Sequence, residues 1–325
     1  MRFSRLGIFV LLILAVFLTT NCSYIPGYNR VMSRKNLVDG SLAYKERKFE
    51  VAEELFRKAA ARDPEGVTIE GKTAQIFLAR TLHSRFIGDR SNKSLAEEAI
   101  KEYQKALKVD QNDQSSYKAI AGLYENLQKP DEWQRWVTER SANTSIKPEF
   151  RAEALTSLAA KQNTCANEVS DTTETKKTVK KDGKDVFQFV KPANAADFDK
   201  LKECVAQGTK LIDQAVQLEP DAVKTAGSLN AASLTDEQLK SNLDAIKPFE
   251  SARSYKASLV IQASRVAEME GRDADRDKLK ADADKARADF VALSEVGKAL
   301  QNEIDSRNAI KQEEANKEKA NNAKK

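Results

Sequence analysis

Three segments of the chain place similar side chains at the same intervals. Ala52, Phe56, Ala59 and Pro64 are separated by four, three and five residues, and Ala99, Tyr103, Ala106 and Gln111 repeat the pattern. Gly208, Ile212, Ala215 and Pro220 repeat it again. Steps of three and four keep side chains on one face of a helix. The small residues let a neighbouring helix approach and the large one fills the space between. A proline then ends the helix, because it has no N–H to donate. Each segment therefore reads as the second half of a helix–turn–helix unit. A chain of such units must bury one against the next, which predicts an all-α fold. A non-repeating helical bundle is the competing reading, since any such bundle shows apolar residues at three and four.

The first half of the leading unit lies upstream. Leu37, Gly40, Ala43 and Tyr44 share a face of a helix expected from about Arg34 to Arg47, and KERKF makes the turn. Gly40 stands 12 residues before Ala52. The arrangement resembles the tetratricopeptide repeat, a unit of about 34 residues. That family has small residues at its eighth, twentieth and twenty-seventh places, an aromatic at the twenty-fourth and proline at the thirty-second. Gly40, Ala52, Ala59, Phe56 and Pro64 match these places, whereas Asn36 occupies one usually held by a large residue. Later units are looser. Residues 72–112 accommodate extra residues through FIGDRSNKS. Residues 114–147 keep a first helix through Tyr117, Ile120, Ala121 and Tyr124 but have Trp133 where a small residue belongs. The fourth unit uses FRAEALTSLAAKQ and Phe198–Leu218, with a long insert between them.

The resemblance implies an α-solenoid whose concave wall, built from the first helix of each unit, binds a peptide, helix or loop of another protein. Carried over residue by residue, the groove positions are Arg34, Leu37, Ser41, Tyr44 and Lys45 in the first unit. In the third they are Lys118, Gly122, Glu125 and Asn126.

The amino end carries two arginines, an apolar run from Leu6 to Leu18, then small polar residues and Cys22. The run is short for a bilayer span, which takes about 20 apolar residues, and its charge–apolar–small order is that of a secretory signal. An uncleaved anchor over Phe3–Thr20 is the alternative. The segment resembles a bacterial lipoprotein signal, in which the cysteine ending the box is acylated and becomes the new chain start. That resemblance implies lipid attachment at Cys22; otherwise Cys22 is a free thiol near a cleaved end.

The insert contains Asp182-Gly183, a strong hairpin signal. Pairing about it sets Val179 opposite Val186 and Thr178 opposite Phe187. Phe187 and Phe189 either contact a partner or lie on the helices. Cys165 is expected to close the helix before the insert and Cys204 to open the one after it. The repeat resemblance sets such helix ends side by side, and the lipoprotein resemblance leaves these as the two thiols in an oxidising compartment. A Cys165–Cys204 disulfide is then the economical expectation, with two buried reduced cysteines as its alternative.

Toward the carboxyl end, Thr235-Asp236-Glu237-Gln238 reads as a capping box opening a short helix that Pro248 closes. A second helix is expected over Phe249–Glu270, with Gly271 as the turn. Beyond Asp273, Leu279, Ala283, Ala286, Phe290, Leu293, Leu300 and Ile304 form one amphipathic stripe. This helix either covers the last apolar face of the array or joins a coiled-coil dimer, a reading weakened by Gly297 on the stripe. The expected layout is a signal peptide over 1–21, a tether over 22–33 and repeats over 34–220 with an insertion at 165–196. A capping helical hairpin over 221–310 and a disordered polar tail over 311–325 complete it.

Composition narrows the function. The chain is about 41% apolar and 32% charged, and its net charge of +5 comes from opposite charges interleaved along helices. That pattern suits solvated faces rather than the basic stripe nucleic acid requires. His83 is the single histidine and has no second histidine or cysteine at metal-ligand spacing. No glycine-rich phosphate loop or GxSxG occurs. The expectation is a non-enzymatic protein with no cofactor, metal or small-molecule substrate. It reads as a lipid-anchored periplasmic scaffold for envelope proteins or peptides in cell-envelope assembly or secretion. A self-associating structural protein that uses the terminal helix and hairpin is the alternative.

Overall fold

The computed structural model describes residues 27–322, so Cys22 and the apolar run before it lie outside the described residues. The chain divides into two compact units, one ending at Trp133 and the other beginning at Gln134.

The first unit contains α1 (Tyr28–Lys45), α2 (Phe49–Ala60), α3 (Ile69–Gly88), α4 (Lys93–Val109) and α5 (Gln114–Asn126). Each helix packs on the next, and α1 also touches α3. That alternation is what stacked helix pairs produce. The small–large interlock expected from the sequence is present. Ala52, Phe56 and Ala59 are fully buried, and a Cβ added at Gly40 would sit 2.7 Å from the Phe56 ring. In α4, Ala99, Tyr103 and Ala106 are buried in the same way. Arg57 joins these layers by bonding Glu53 on its own helix at 2.8 Å and Glu98 on α4 at 2.6 Å.

The first helix begins at Tyr28 rather than near Arg34, so the expected tether is already helical from that residue. The extra turns are held by contacts. Arg62 lies over the Tyr28 ring and bonds Asn29, while Ser33 donates to the Ala59 carbonyl at 3.1 Å. Between α2 and α3, Asp63 accepts from Thr68 N at 2.7 Å, Thr68 Oγ1 at 2.6 Å and Val67 N at 3.2 Å. Thr68 in turn caps α3 by accepting from Gly71 N. The Asp-Pro pair that ends α2 thus also starts α3.

A further helix, α6 (Pro130–Ala142), carries the chain across the dividing point. The second unit continues with α7 (Pro148–Ser170), strands β1 (Lys176–Lys181) and β2 (Lys184–Phe189), and α8 (Ala195–Gln217). After Pro220 come α9 (Asp221–Lys224) and two short 3-10 turns, then α10 (Asp236–Met269) and α11 (Asp273–Asn322). Helices α7 and α8 pair, α10 packs on both, and α11 packs along α10. The fourth helix pair and the carboxyl-terminal helices therefore pack together within the second unit. Ile212, Ala215, Leu239, Ile246, Phe249, Leu293 and Leu300 share one apolar cluster. At its tightest point, a Cβ at Gly208 would lie 2.6 Å from Leu259.

The Cys165–Cys204 disulfide is present and cross-links α7 to α8. Neither cysteine ends its helix, however, since α7 continues to Ser170 and α8 starts at Ala195. The hairpin has the expected register, Val179 opposite Val186 and Thr178 opposite Phe187. Asp182 and Gly183 both take positive φ, as a type I′ turn requires.

Two expectations at the carboxyl end are corrected. Pro248 does not close a helix: α10 is continuous from Asp236 to Met269 with the proline inside it. The lost N–H removes one backbone bond, but Ile246, Pro248, Phe249 and Ala252 are all buried, so packing holds the helix through it. The tail beyond residue 310 is not irregular either, because α11 runs to Asn322. Lys, Glu, Ala and Gln are strong helix formers, and Lys317 pairs with Glu313 one turn back at 2.6 Å. The capping box is formed as expected, with Gln238 N donating to Thr235 Oγ1 and Thr235 N to Gln238 Oε1.

Candidate protein-binding groove

Within the first unit, α1 carries two apolar stripes. The inner one, Leu37, Gly40 and Ala43, is buried against α2. The other consists of Val31, Val38 and Leu42, spaced by seven and four, and it faces solvent: Val38 and Leu42 are each 54% exposed. Ile69, at the start of α3, is 77% exposed beside them. Thr68 fixes that start as the N-cap, and Asp63 fixes Thr68, so the position of Ile69 is set by the turn.

Val38, Leu42 and Ile69 line a groove of about 460 Å³ between the first helices of two successive pairs. Arg34, Leu37, Val38, Ser41, Leu42 and Lys45 supply one wall, and Ile69, Glu70 and Thr73 the other. Leu37 forms a nearly buried floor. Arg30 bonds Glu70 at 3.0 Å. The backbone N–H of Glu70 in the first turn of α3, and then Arg30, hold the Glu70 carboxyl below the ordinary range. Among the described residues, Arg34 and Lys45 have no carboxylate within salt-bridge distance. Arg34 acts at longer range on Glu70, and the groove is an apolar strip with positive charge at its edge.

Four of the five first-unit candidates, Arg34, Leu37, Ser41 and Lys45, line this groove. Tyr44 does not. Its hydroxyl lies 2.9 Å from Ser84 Oγ and its ring packs edge-on to Phe49 and Phe77. Lys118, Gly122, Glu125 and Asn126 sit on α5, outside the lining. There Asn126 donates to the Gly122 carbonyl and accepts from Arg90. Sequence reasoning missed Val38, Leu42 and Ile69. The signal for the first two was available as a second apolar periodicity on α1, about 100° or more away from the stripe that matches the repeat.

Phe187 and Phe189 lie in the second unit and separate in role. Phe189 packs beneath the Arg265 guanidinium, 4.5 Å from the ring centre, whereas Phe187 is 61% exposed. His83 is half-buried and edge-on to Tyr103; burial, and then Arg90, hold its imidazole below the ordinary pKa. Among the described residues, no cluster of His, Cys, Asp or Glu is placed to hold a metal ion, and no helix is long and apolar enough to cross a membrane.

No protein-family model matches the chain, and no curated protein matches it. Among solved structures it is similar to that of Pseudomonas aeruginosa PilF. The identity is 14%, with 82% of this chain and 97% of that one covered, at a TM-score of 0.29. The helix-pair architecture stands on this chain's own spacing and packing.

Proposed function

We propose that this protein is a membrane-tethered periplasmic scaffold that holds a segment of a partner protein in the groove between α1 and α3, in envelope assembly or secretion. One observation carries the reading: Val38, Leu42 and Ile69 are exposed and converge on one groove between α1 and α3. Exposed apolar groups that converge on a groove mark a binding surface, unlike single scattered ones. An amphipathic helix or an extended segment would place apolar anchors over Leu37 and Leu42, with its acidic residues toward Arg34 and Lys45. The family resemblance of the helix pairs supports a protein rather than a small-molecule ligand. The arginines, apolar run and Cys22 support export and lipid attachment. The Cys165–Cys204 disulfide supports an oxidising compartment.

The test is crosslinking in the native cell followed by recovery from the membrane fraction. Wild type is expected to yield a defined crosslinked species that the double variant Leu42→Glu, Ile69→Glu loses while keeping its melting temperature. The anchor is tested separately: if wild type and Cys22→Ser both fractionate as soluble protein, tethering through Cys22 is wrong.

A further inference from the structure

The groove leaves the insertion between α7 and α8 unaccounted for. The hairpin over 176–189, strands and turn together, holds five lysines (176, 177, 180, 181 and 184) against two aspartates, a net +3 over 14 residues, and no arginine. The base of the ribbon is fixed. Val190 N donates to the Thr175 carbonyl at 2.9 Å, and Thr175 is itself buried and bonded to the Val169 carbonyl. Phe189 is clamped by Arg265, and the disulfide ties the two flanking helices.

The outer half of the ribbon is not fixed in this way. Lys176 is committed to Asp171 and lies 4.3 Å from the Phe187 ring centre; Lys177 donates to the Thr173 carbonyl. Lys180, Lys181 and Lys184, flanking the turn, have no carboxylate within salt-bridge distance among the described residues. Lys181 acts at longer range on Asp277, which Arg276 already holds at 2.8 Å. Phe187 and Val186 are exposed, and the alternation of a strand points them to opposite faces of the ribbon.

We propose that this hairpin is a docking arm for anionic phospholipid headgroups. The charge fixes the sign of the partner, and the distribution fixes its kind. A folded acidic protein would be met by one face, with guanidinium forks aligned to its carboxylates. Beyond its base, where Phe189 packs under Arg265, this ribbon has lysine on both faces, with Phe187 on one and Val186 on the other, so its outer half is complementary to a medium that surrounds it. Lysines act as point charges in a headgroup layer without needing fixed geometry. The stems and Phe187 can lie at the acyl boundary while the ammonium groups stay among phosphates.

The test uses the full chain carrying Phe187→Trp, reconstituted in vesicles with brominated acyl chains, with wild type as the background for Trp133 and Trp136. In phosphatidylglycerol vesicles the new indole emission is expected to shift to the blue and to be quenched; in phosphatidylcholine vesicles it stays as in buffer. Replacing Lys180, Lys181 and Lys184 by Gln should weaken insertion of the hairpin by about a hundredfold, at roughly a fivefold contribution per lysine. Equal quenching in both lipids, or none in either, overturns the proposal, whatever the amino end does in the bilayer. A response to poly-glutamate but not to phosphatidylglycerol also overturns it, in favour of an acidic protein partner.

Discussion

Gly40 and Gly122 lie on first helices of different pairs and differ only in what faces them. A methyl group at Gly40 would press on the Phe56 ring, whereas one at Gly122 meets nothing within 4 Å. Gly40→Ala is therefore expected to lower stability by about 1–3 kcal/mol through overpacking. Gly122→Ala should raise it by about 0.5–1 kcal/mol, the helix-propensity gain. Denaturant unfolding of the two variants checks the contrast. Asp63 gives a second residue-scale prediction. Burial pushes its carboxyl up, but the bonds from Thr68, Val67 and Gly66 outweigh this and hold it below the ordinary value. A depressed folded pKa stabilises the protein above the unfolded value of about 3.9, and the contribution is lost as pH falls through that value toward the folded one. Asp63→Asn should cost roughly 1 kcal/mol at pH 7 and flatten the acid limb of the unfolding profile. The role of Asp63 was not legible in sequence, where Asp-Pro reads only as a stop; its partners lie on the far side of the turn.

At the scale of elements, local chemistry was read well and persistence poorly. Asp182-Gly183 determines a type I′ turn and hence the whole hairpin register, and Thr235 with Gln238 determines a cap, because each needs only neighbours in sequence. Pro248 is different: whether a proline ends a helix depends on what the flanking turns bury, and Ile246 and Phe249 are both inside the core. The length of α11 follows the same division. Its inner part is held by Leu300, by Ile304 and by Arg307, which bonds the Leu234 carbonyl at 2.8 Å and Asp236 at 2.9 Å. The end beyond Lys311 has exposed side chains throughout residues 312–319. Ending the chain after Lys311 should leave the melting temperature unchanged, whereas ending it after Ala299 should cost upwards of about 3 kcal/mol. The disulfide closes a loop with a sequence separation of 39, and Cys204→Ser is expected to cost about 2–4 kcal/mol. Thermal melts with and without reductant read this directly, since reductant should lower wild type to the variant and leave the variant where it is.

For the molecule as a whole, the stacking of helix pairs was written into the spacing of Gly40, Ala52, Phe56 and Ala59, whereas the candidate groove was written only in part. Arg34, Leu37, Ser41 and Lys45 come from aligning α1 to a repeat. Val38, Leu42 and Ile69, the apolar residues most exposed in it, become visible once α1 and α3 lie side by side. Tyr44 was misplaced because a repeat position says which turn a side chain leaves from, and not that Ser84 waits within hydrogen-bond reach. The central claim is that this groove takes a protein segment, and site-specific photo-crosslinking in the native cell tests it most directly. With the crosslinker at Leu42 or Ile69, the same discrete species should be trapped, and Val38→Glu should abolish it; at Lys58, exposed on α2, nothing should be trapped. No adduct at either groove position, or the same adduct at Lys58, would contradict the account.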